Sequence, residues 1–320
     1  ASDASLTGTL TEPLALLPST AEDDTQTTGP HLDFALHSRR LDIDRLFPPA
    51  SPGQTGTSTS APADTVQITS LSRLTSQGTV EIDTLVYSRV EFTSVTAQAR
   101  LKDLLFECYD ASGMVYSGRA TGRASVDLRD LENPRYSGEF SAAQIEADDF
   151  LTRFSKFGGL LLGKFDFEGN FAGSGRDPEK FRNSLTLSSL AKMTSGKVVT
   201  TGFAYSALST LAGKVGQTLD QEQALKDLST SVRVEEGRVH ADGLVTRLGS
   251  FGDLAIDGNY AFAGNLDFNG GLTLSKEQTA KLLSSGGLAG KLANLVGENG
   301  SERLTLPLAV GGTFAKPQMS

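Results

Sequence analysis

The chain has 320 residues, 38% of them hydrophobic, with no Trp and a formal net charge of -9 at pH 7. That length gives one large or two ordinary domains ample surface to bury, while the acidic balance and the lack of any Lys/Arg run exclude a nucleic-acid backbone as partner. Cys108 stands alone, which excludes an internal disulfide and any metal site needing two cysteines from one chain.

Glycine supplies 34 of the 320 residues, about 11% against a usual ~7%, without a three-residue period, so the chain reads as folded and rich in turns. No run of eighteen apolar residues occurs, and residues 1–20 have neither the charged start nor the apolar stretch of a signal peptide. The sequence starts at Ala1 rather than Met, which reads as a targeting or anchoring segment cleaved or left out.

DFALHSRRLDIDRLF (33–47) is written a second time, without a gap, in SGEFSAAQIEADDFLTRF (137–154). Leu36 falls on Phe140, Ser38 on Ala142, Leu41 on Ile145, Asp42 on Glu146, Asp44 on Asp148 and Leu46 on Phe150. In the second copy Ala147, Phe150, Leu151, Phe154 and Phe157 keep helical spacing, so the unit reads as a strand running into an amphipathic helix. Residues 1–47 then hold N-terminal strands and the first such unit. PPASPGQTGTSTSAPA (48–63) reads as a flexible surface loop.

From residue 64 to 320 short strands dominate. Val80, Ile82, Val86, Val90 and Phe92 share one parity, then Val95, Ala97, Ala99 and Leu101 take the other, which places a turn or bulge near Thr93 and Ser94. The alternation returns in Ala124 to Leu128, at Phe165, Phe167 and Phe171, at Val232 and Val234, in Leu254, Ile256, Tyr260 and Phe262, and in Leu304 to Leu308. Gly-Asn pairs at 169–170, 258–259 and 264–265, with Asn-Gly-Gly at 269–271, read as hairpin separators.

Few helices are expected. Asp177-Pro178 starts a short turn, Ala204, Ala207, Leu208, Leu211, Ala212 and Val215 form a helical stripe, and Ala224, Leu225 and Leu228 form a shorter one. A capping-box pattern, Ser275 with Gln278, opens a last helix over 276–296, before a closing strand over 303–314. Its face of Leu288, Leu292, Leu295 and Val296 reads foremost as a cap on the end of the sheet; Lys276, Lys281 and Lys291 leave contact with an anionic membrane surface as the other use.

Chemistry is sparse. His31, His37 and His240 lack ligand spacing and read as solvated strand residues; no nucleophile elbow or phosphate loop occurs, and Gly173-Ser174-Gly175 reads as a turn. The acidic pairs Asp148-Asp149 and Asp220 with Glu222 read as helix N-terminal acids, and Glu235-Glu236-Gly237 as a hairpin turn. The expectation is a protein that is not an enzyme and uses no cofactor and no metal.

The order of parts over 64–170 resembles the C-terminal region of AsmA-like bacterial envelope proteins, which include the TamB-related repeating β-groove lipid-transfer proteins. The parts are the strand with Gly78 and Val80, then VEFTSVTAQARLKD, YSGRATGRASVDL, PRYSGEFSAAQIEADDFLTRF and LLLGKFDFEGNFAGSG. LSSLAKMTSGKVVTTGFAYSAL and the segment from Leu228 to Ser275 are similar to the family's later repeats, and LPLAVGGTFAKPQ to its closing strand.

The resemblance implies a mainly β fold with a few short amphipathic helices: an elongated, curled antiparallel sheet forming an open, U-shaped groove of stacked repeats. It implies phospholipid or another acyl lipid as cargo, envelope proteins as further partners, and the periplasm of a diderm bacterium as location. The family's membrane helix is not among residues 1–320, so the membrane contact is expected through an anchor missing from this chain. Candidate groove-lining residues are Val80, Ile82, Val90, Phe92, Val95, Leu101, Phe165, Phe167, Phe171, Leu254, Ile256, Tyr260 and Phe262. The competing expectation is a structural or assembly factor for outer-membrane proteins, acting through sheet edges or helix contacts.

Overall fold

The computed structural model describes residues 3–12, 29–46, 73–200, 218, 220–249, 251–262, 264–284, 303–313 and 316–319, together with 205, 209, 212 and 213. The protein is mainly β. Strands β1 (Asp3–Thr11) and β2 (His31–Asp42) precede helix α1 (Ile43–Leu46), and β3 (Thr75–Tyr87), β4 (Val90–Lys102), β5 (Leu105–Val115), β6 (Gly118–Asp127) and β7 (Arg135–Glu146) follow. After α2 (Ala147–Phe154) come β8 (Leu161–Ser174), α3 (Pro178–Ser184), β9 (Thr186–Val199), β10 (Glu222–Glu235), β11 (Arg238–Leu248), β12 (Gly252–Ala261) and β13 (Leu266–Leu274). Helix α4 (Lys276–Ser284), β14 (Thr305–Thr313) and β15 (Lys316–Met319) complete the order.

All fifteen described strands lie in one sheet in chain order, and the sheet is unclosed: among them β1 has only β2 beside it and β15 only β14. Among the strand pairs of described register, one departs from the antiparallel expectation: β2 runs parallel to β3, with Leu36 beside Val80 and Ser38 beside Ile82. A hairpin needs two connecting residues but a parallel pair needs a crossover of a dozen or more. The stretch after α1 supplies that length; its 48–63 segment lies outside the described residues.

The duplication seen in the sequence is structural. β2 and β7 are each 12 residues long, start and stop at aligned positions, and hand over to a helix at Ile43 and Ala147, which are also aligned. The second helix stops at Phe154 because Ser155 turns extended and folds its N–H and Oγ back onto the Leu151 carbonyl at 2.9 and 2.8 Å. Phe157 therefore lies in the loop after α2, not on the helix.

Hairpin turns are tight. Ser88-Arg89, Asp103-Leu104, Tyr116-Ser117 and Glu236-Gly237 each connect adjacent strands with both residues at positive φ, the conformation that matches strand twist. Of the Gly-Asn separators only Gly264-Asn265 lies between strands. Gly169-Asn170, Gly258-Asn259 and Asn269-Gly270-Gly271 sit inside β8, β12 and β13, where glycine is needed for another reason: a Cβ on Gly169 would run into the Ser188 carbonyl oxygen.

Mid-strand bulges recur. Ser94, Asp110, Gln144, Asp227 and Gly243 carry φ of 50–59° inside β4, β5, β7, β10 and β11. Ser94 is the parity slip expected from the sequence. Asp227 explains a misreading: an extra residue in β10 throws Leu225 and Leu228 out of period two, which imitates helical spacing, but the segment is a strand. Glu222 accordingly opens that strand and pairs with Lys197 at 2.6 Å instead of capping a helix.

The chain forms two compact units, residues 1–141 with 171–181, and 142–170 with 182–320; β7 and β8 run from one into the other. In the second unit Leu225, Leu248, Phe251, Leu272, Leu274, Leu304, Leu306, Leu308 and Val310 make a buried core. Helix α4 enters it through Leu282, and its start is as expected, the Gln278 N–H donating to Ser275 Oγ at 3.2 Å. Ala212 is helical and buried in that core; Ala204, Ala207, Leu208, Leu211, Val215 and the Leu288–Val296 face lie outside the described residues.

Candidate functional site: the apolar sheet face

Registers decide which side chains share a face. In the first unit Val80 pairs with Ala97, Ile82 with Val95, Ser76 with Leu101, Leu85 with Phe92 and Tyr87 with Val90. Ser94 is one residue extra against β5, so Phe92 and Val95 stay on the same side of β4, and Val80, Ile82, Val90, Phe92, Val95 and Leu101 come together on one face. Val86 does not join them; it stands opposite Glu91.

The centre of this face is paved with small residues. Phe34, Gly78, Ala99, Cys108 and Ala124 form one transverse row over β2 to β6. Strand β6, GRATGRASVD, puts Gly118, Ala120, Gly122 and Ala124 on this side and Arg119, Thr121, Arg123 and Ser125 on the other. Bulky rings overhang the glycines: a Cβ on Gly78 would come within 2.6 Å of the Phe34 ring, and one on Gly138 within 2.6 Å of Phe171. Sequence reasoning that looked for large side chains missed this floor, although its period-two pattern of Gly and Ala is plain in β6.

Ile82 and Val90 are buried at 5% and 4% exposure, but Val80, Phe92, Val95, Leu101, Ala97, Ala124 and Phe171 are only half-buried. All fifteen described strands belong to one sheet, and these side chains keep part of their surface exposed. The opposite face is polar and cross-linked. Arg123 reaches Glu139 at 2.7 Å and Arg100 reaches Glu107 at 2.6 Å. Hydrogen bonds from Arg123 hold the Glu139 carboxyl below its usual value.

In the second unit Phe165 and Phe167 stack at 5.1 Å on β8, and Phe150 from α2 meets them at 5.3 and 5.4 Å. Phe154, 55% exposed, sits 4.9 Å from Phe150. Phe157, in the loop entering β8, meets Tyr260 on β12 at 5.6 Å. In a flat sheet β8 and β12 lie four strand spacings apart, roughly 19 Å. The two rings meet because this unit's sheet curls and the loop reaches in over its apolar side.

Leu254 and Ile256 share a face with Leu272 and Gly270 and pack against the closed core, while Tyr260 is 8% exposed beside Val239 and Leu266. Phe262 lies beyond the end of β12 and is 42% exposed.

The polar groups with catalytic potential have local partners. His31 meets Thr75 at 2.8 Å, His37 meets Glu81 at 3.2 Å, and His240 lies 3.8 Å from Glu235. Asp148 takes the Gly159 N–H at 2.5 Å, and its counterpart Asp44 takes those of Ser88 and Arg89 at 2.7 and 2.6 Å, so this repeated acid fastens a neighbouring turn rather than only facing its own helix. Burial pushes the Cys108 thiol up, which disfavours the thiolate. Among the described residues no group of three or more His, Cys, Asp or Glu is arranged to hold a metal, and no helix is long and apolar enough to cross a membrane. No family model, curated protein or solved structure matches the chain.

Proposed function

We propose that this chain is a noncatalytic lipid-handling protein, holding acyl chains against its apolar strand faces during phospholipid transfer between the inner and outer membranes of a diderm bacterium. The observation that carries the reading is the half-buried apolar face of the first unit, with its Gly/Ala floor between Phe34, Phe92 and Phe171. Such a surface gives each methylene up to about 0.8 kcal/mol on burial. With one side of the chain covered, a long acyl tail gains roughly half of that per methylene before ordering costs. The resemblance of residues 64–170 to AsmA-like proteins supplies the envelope and the two membranes. Organic extraction and mass spectrometry of the purified protein are expected to yield phospholipid. A preparation repeatedly free of lipid, and unable to take up acyl chains from vesicles, overturns the reading.

A specific feature favours the competing role of an assembly factor. All nine residues of β1 are exposed, Leu6 at 64%, and from Ala4 to Thr11 the strand carries no charge to discourage pairing. A partner strand added there would depend on the backbone N–H groups of β1. Thr7→Pro is then expected to abolish capture of an outer-membrane protein while leaving lipid content unchanged.

A further inference from the structure

The two copies of the strand-helix unit treat the apolar face differently. In the first, α1 is four residues long and Leu46, aligned with Phe150, is 51% exposed. In the second, α2 runs for eight residues and lays Phe150 over Phe165 and Phe167, and the loop behind it carries Phe157 to Tyr260. The covering is thin. Ala147 is the one buried residue of α2, Phe154 is 55% exposed, and Phe150, Phe165 and Phe167 are half-buried although their rings touch. A packed layer would bury those rings, as the core around Leu272 and Leu274 does in the same unit at 0% exposure.

We infer that α2 and the loop through Phe157 form a strap across the apolar face of the second unit, latched by Phe157 on Tyr260, and that a hydrocarbon chain occupies the Phe165–Phe167 surface when the strap lifts. The proposal rests on the lipid reading and adds regulation to it: the first unit offers an open bed, the second a gated one. The strap is tied at its base by Asp148, whose carboxylate takes the Gly159 N–H at 2.5 Å, so lifting swings the α2–Phe157 segment without unravelling it. Elements that bury little surface open at low cost, and α2 buries only Ala147 fully. While the strap is closed, apparent affinity for the chain falls by the fraction of molecules that are open.

The absence of Trp allows a local readout. Phe167→Trp places a sole tryptophan under the strap, and Phe92→Trp places one on the open bed; quenching by a brominated long-chain fatty acid reports hydrocarbon at each. In the Phe167→Trp background, Phe157→Ala is expected to tighten binding about threefold to tenfold, because the open fraction rises. With Cys108→Ser, Phe157→Cys and Tyr260→Cys added, oxidation is expected to abolish quenching and reduction to restore it. Quenching at 167 that is unchanged both by Phe157→Ala and by oxidation overturns the strap and leaves the lipid reading standing. Quenching at 92 with none at 167 in any variant does the same. No quenching at either position overturns the lipid reading and the strap together.

Discussion

The Asp166 carboxylate accepts the backbone N–H of Gln144 at 2.7 Å, across from β8 to β7, where Gln144 holds a φ of 59°. The same device appears in the first copy of the duplicated unit. There Asp3 on β1 takes the N–H of Arg40, the residue aligned with Gln144, at 3.0 Å. Asp257 on β12 repeats it with the Gly243 N–H of β11 at 2.5 Å. A bulge leaves a backbone donor without its ladder partner, and a carboxylate on the adjacent strand supplies one. The bend in these strands is thus written in single aspartates.

Asp166→Ala should lower stability by about 1 kcal/mol, since it leaves one N–H to water at an exposed site. Urea unfolding is expected to show a lower midpoint with an unchanged slope. Asp166→Asn keeps an acceptor oxygen and should cost less. Gln144→Gly should be nearly neutral, whereas Gln144→Val forces a branched side chain into positive φ and should cost about 1–2 kcal/mol. Equal stability of all four variants would mean that the bulge has no fixed place in the fold.

Truncations separate the closed core from the thinly covered Phe165–Phe167 surface. Leu272 is fully buried in the second unit's core, so Leu272→Ala should cost about 2–5 kcal/mol. Phe167, half-buried under a thin helix, should cost only about 1–2 kcal/mol as Phe167→Ala, because part of its surface already meets solvent. A loss above about 3 kcal/mol at Phe167, the range for a core aromatic, would show that its surface is ordinary core.

Strand identity, the duplicated unit and the Ser94 slip were legible because alternation and repetition are local signals. What was not legible depended on partners distant in sequence. Gly169 and Gly258 look like turn residues until a neighbouring backbone is seen to press on them. Leu225 and Leu228 look helical because the bulge at Asp227 breaks their period. For the candidate face, Val80, Ile82, Val95 and Leu101 were readable from parity, but Leu254 and Ile256 have the same parity signal and serve a closed core. The difference lies in what packs above each strand, and no single strand encodes that.

Acid should loosen the β12–β14 region before the rest of the second unit's core. Arg303 donates to the Leu274 and Thr273 carbonyls at 2.8 and 3.0 Å and to Asp253 at 2.7 Å. Hydrogen bonding to Arg303 foremost, with Arg247 assisting, holds the Asp253 carboxyl below its ordinary value. A carboxyl with a folded pKa below the unfolded one adds stability that is complete above the unfolded value near 4 and is lost as pH falls through the folded value. Thermal melts between pH 7 and pH 2 should show this loss in the wild type. Asp253→Asn should lower stability at pH 7 and flatten the part of the acid slope due to this group; an unchanged slope would remove Asp253 from the account.

Glycine at 138 is required by close approach rather than by backbone freedom. An added Cβ there would lie 2.6 Å from the Phe171 ring and 2.7 Å from the Arg123 carbonyl oxygen, too near for either to remain in place. Gly138→Val should therefore push Phe171 off the floor formed with Ala124 and cost about 1–3 kcal/mol, the usual range for overpacking. Gly311 on β14 gives the contrast, because among the described residues nothing lies within 4 Å of where its Cβ would be. Gly311→Ala should be neutral or stabilise by up to about 1 kcal/mol, since alanine has less freedom to lose on folding. Denaturant midpoints for the pair check the argument: similar losses at both sites would mean that glycine serves these strands through its backbone alone, and that Phe171 does not lean on position 138.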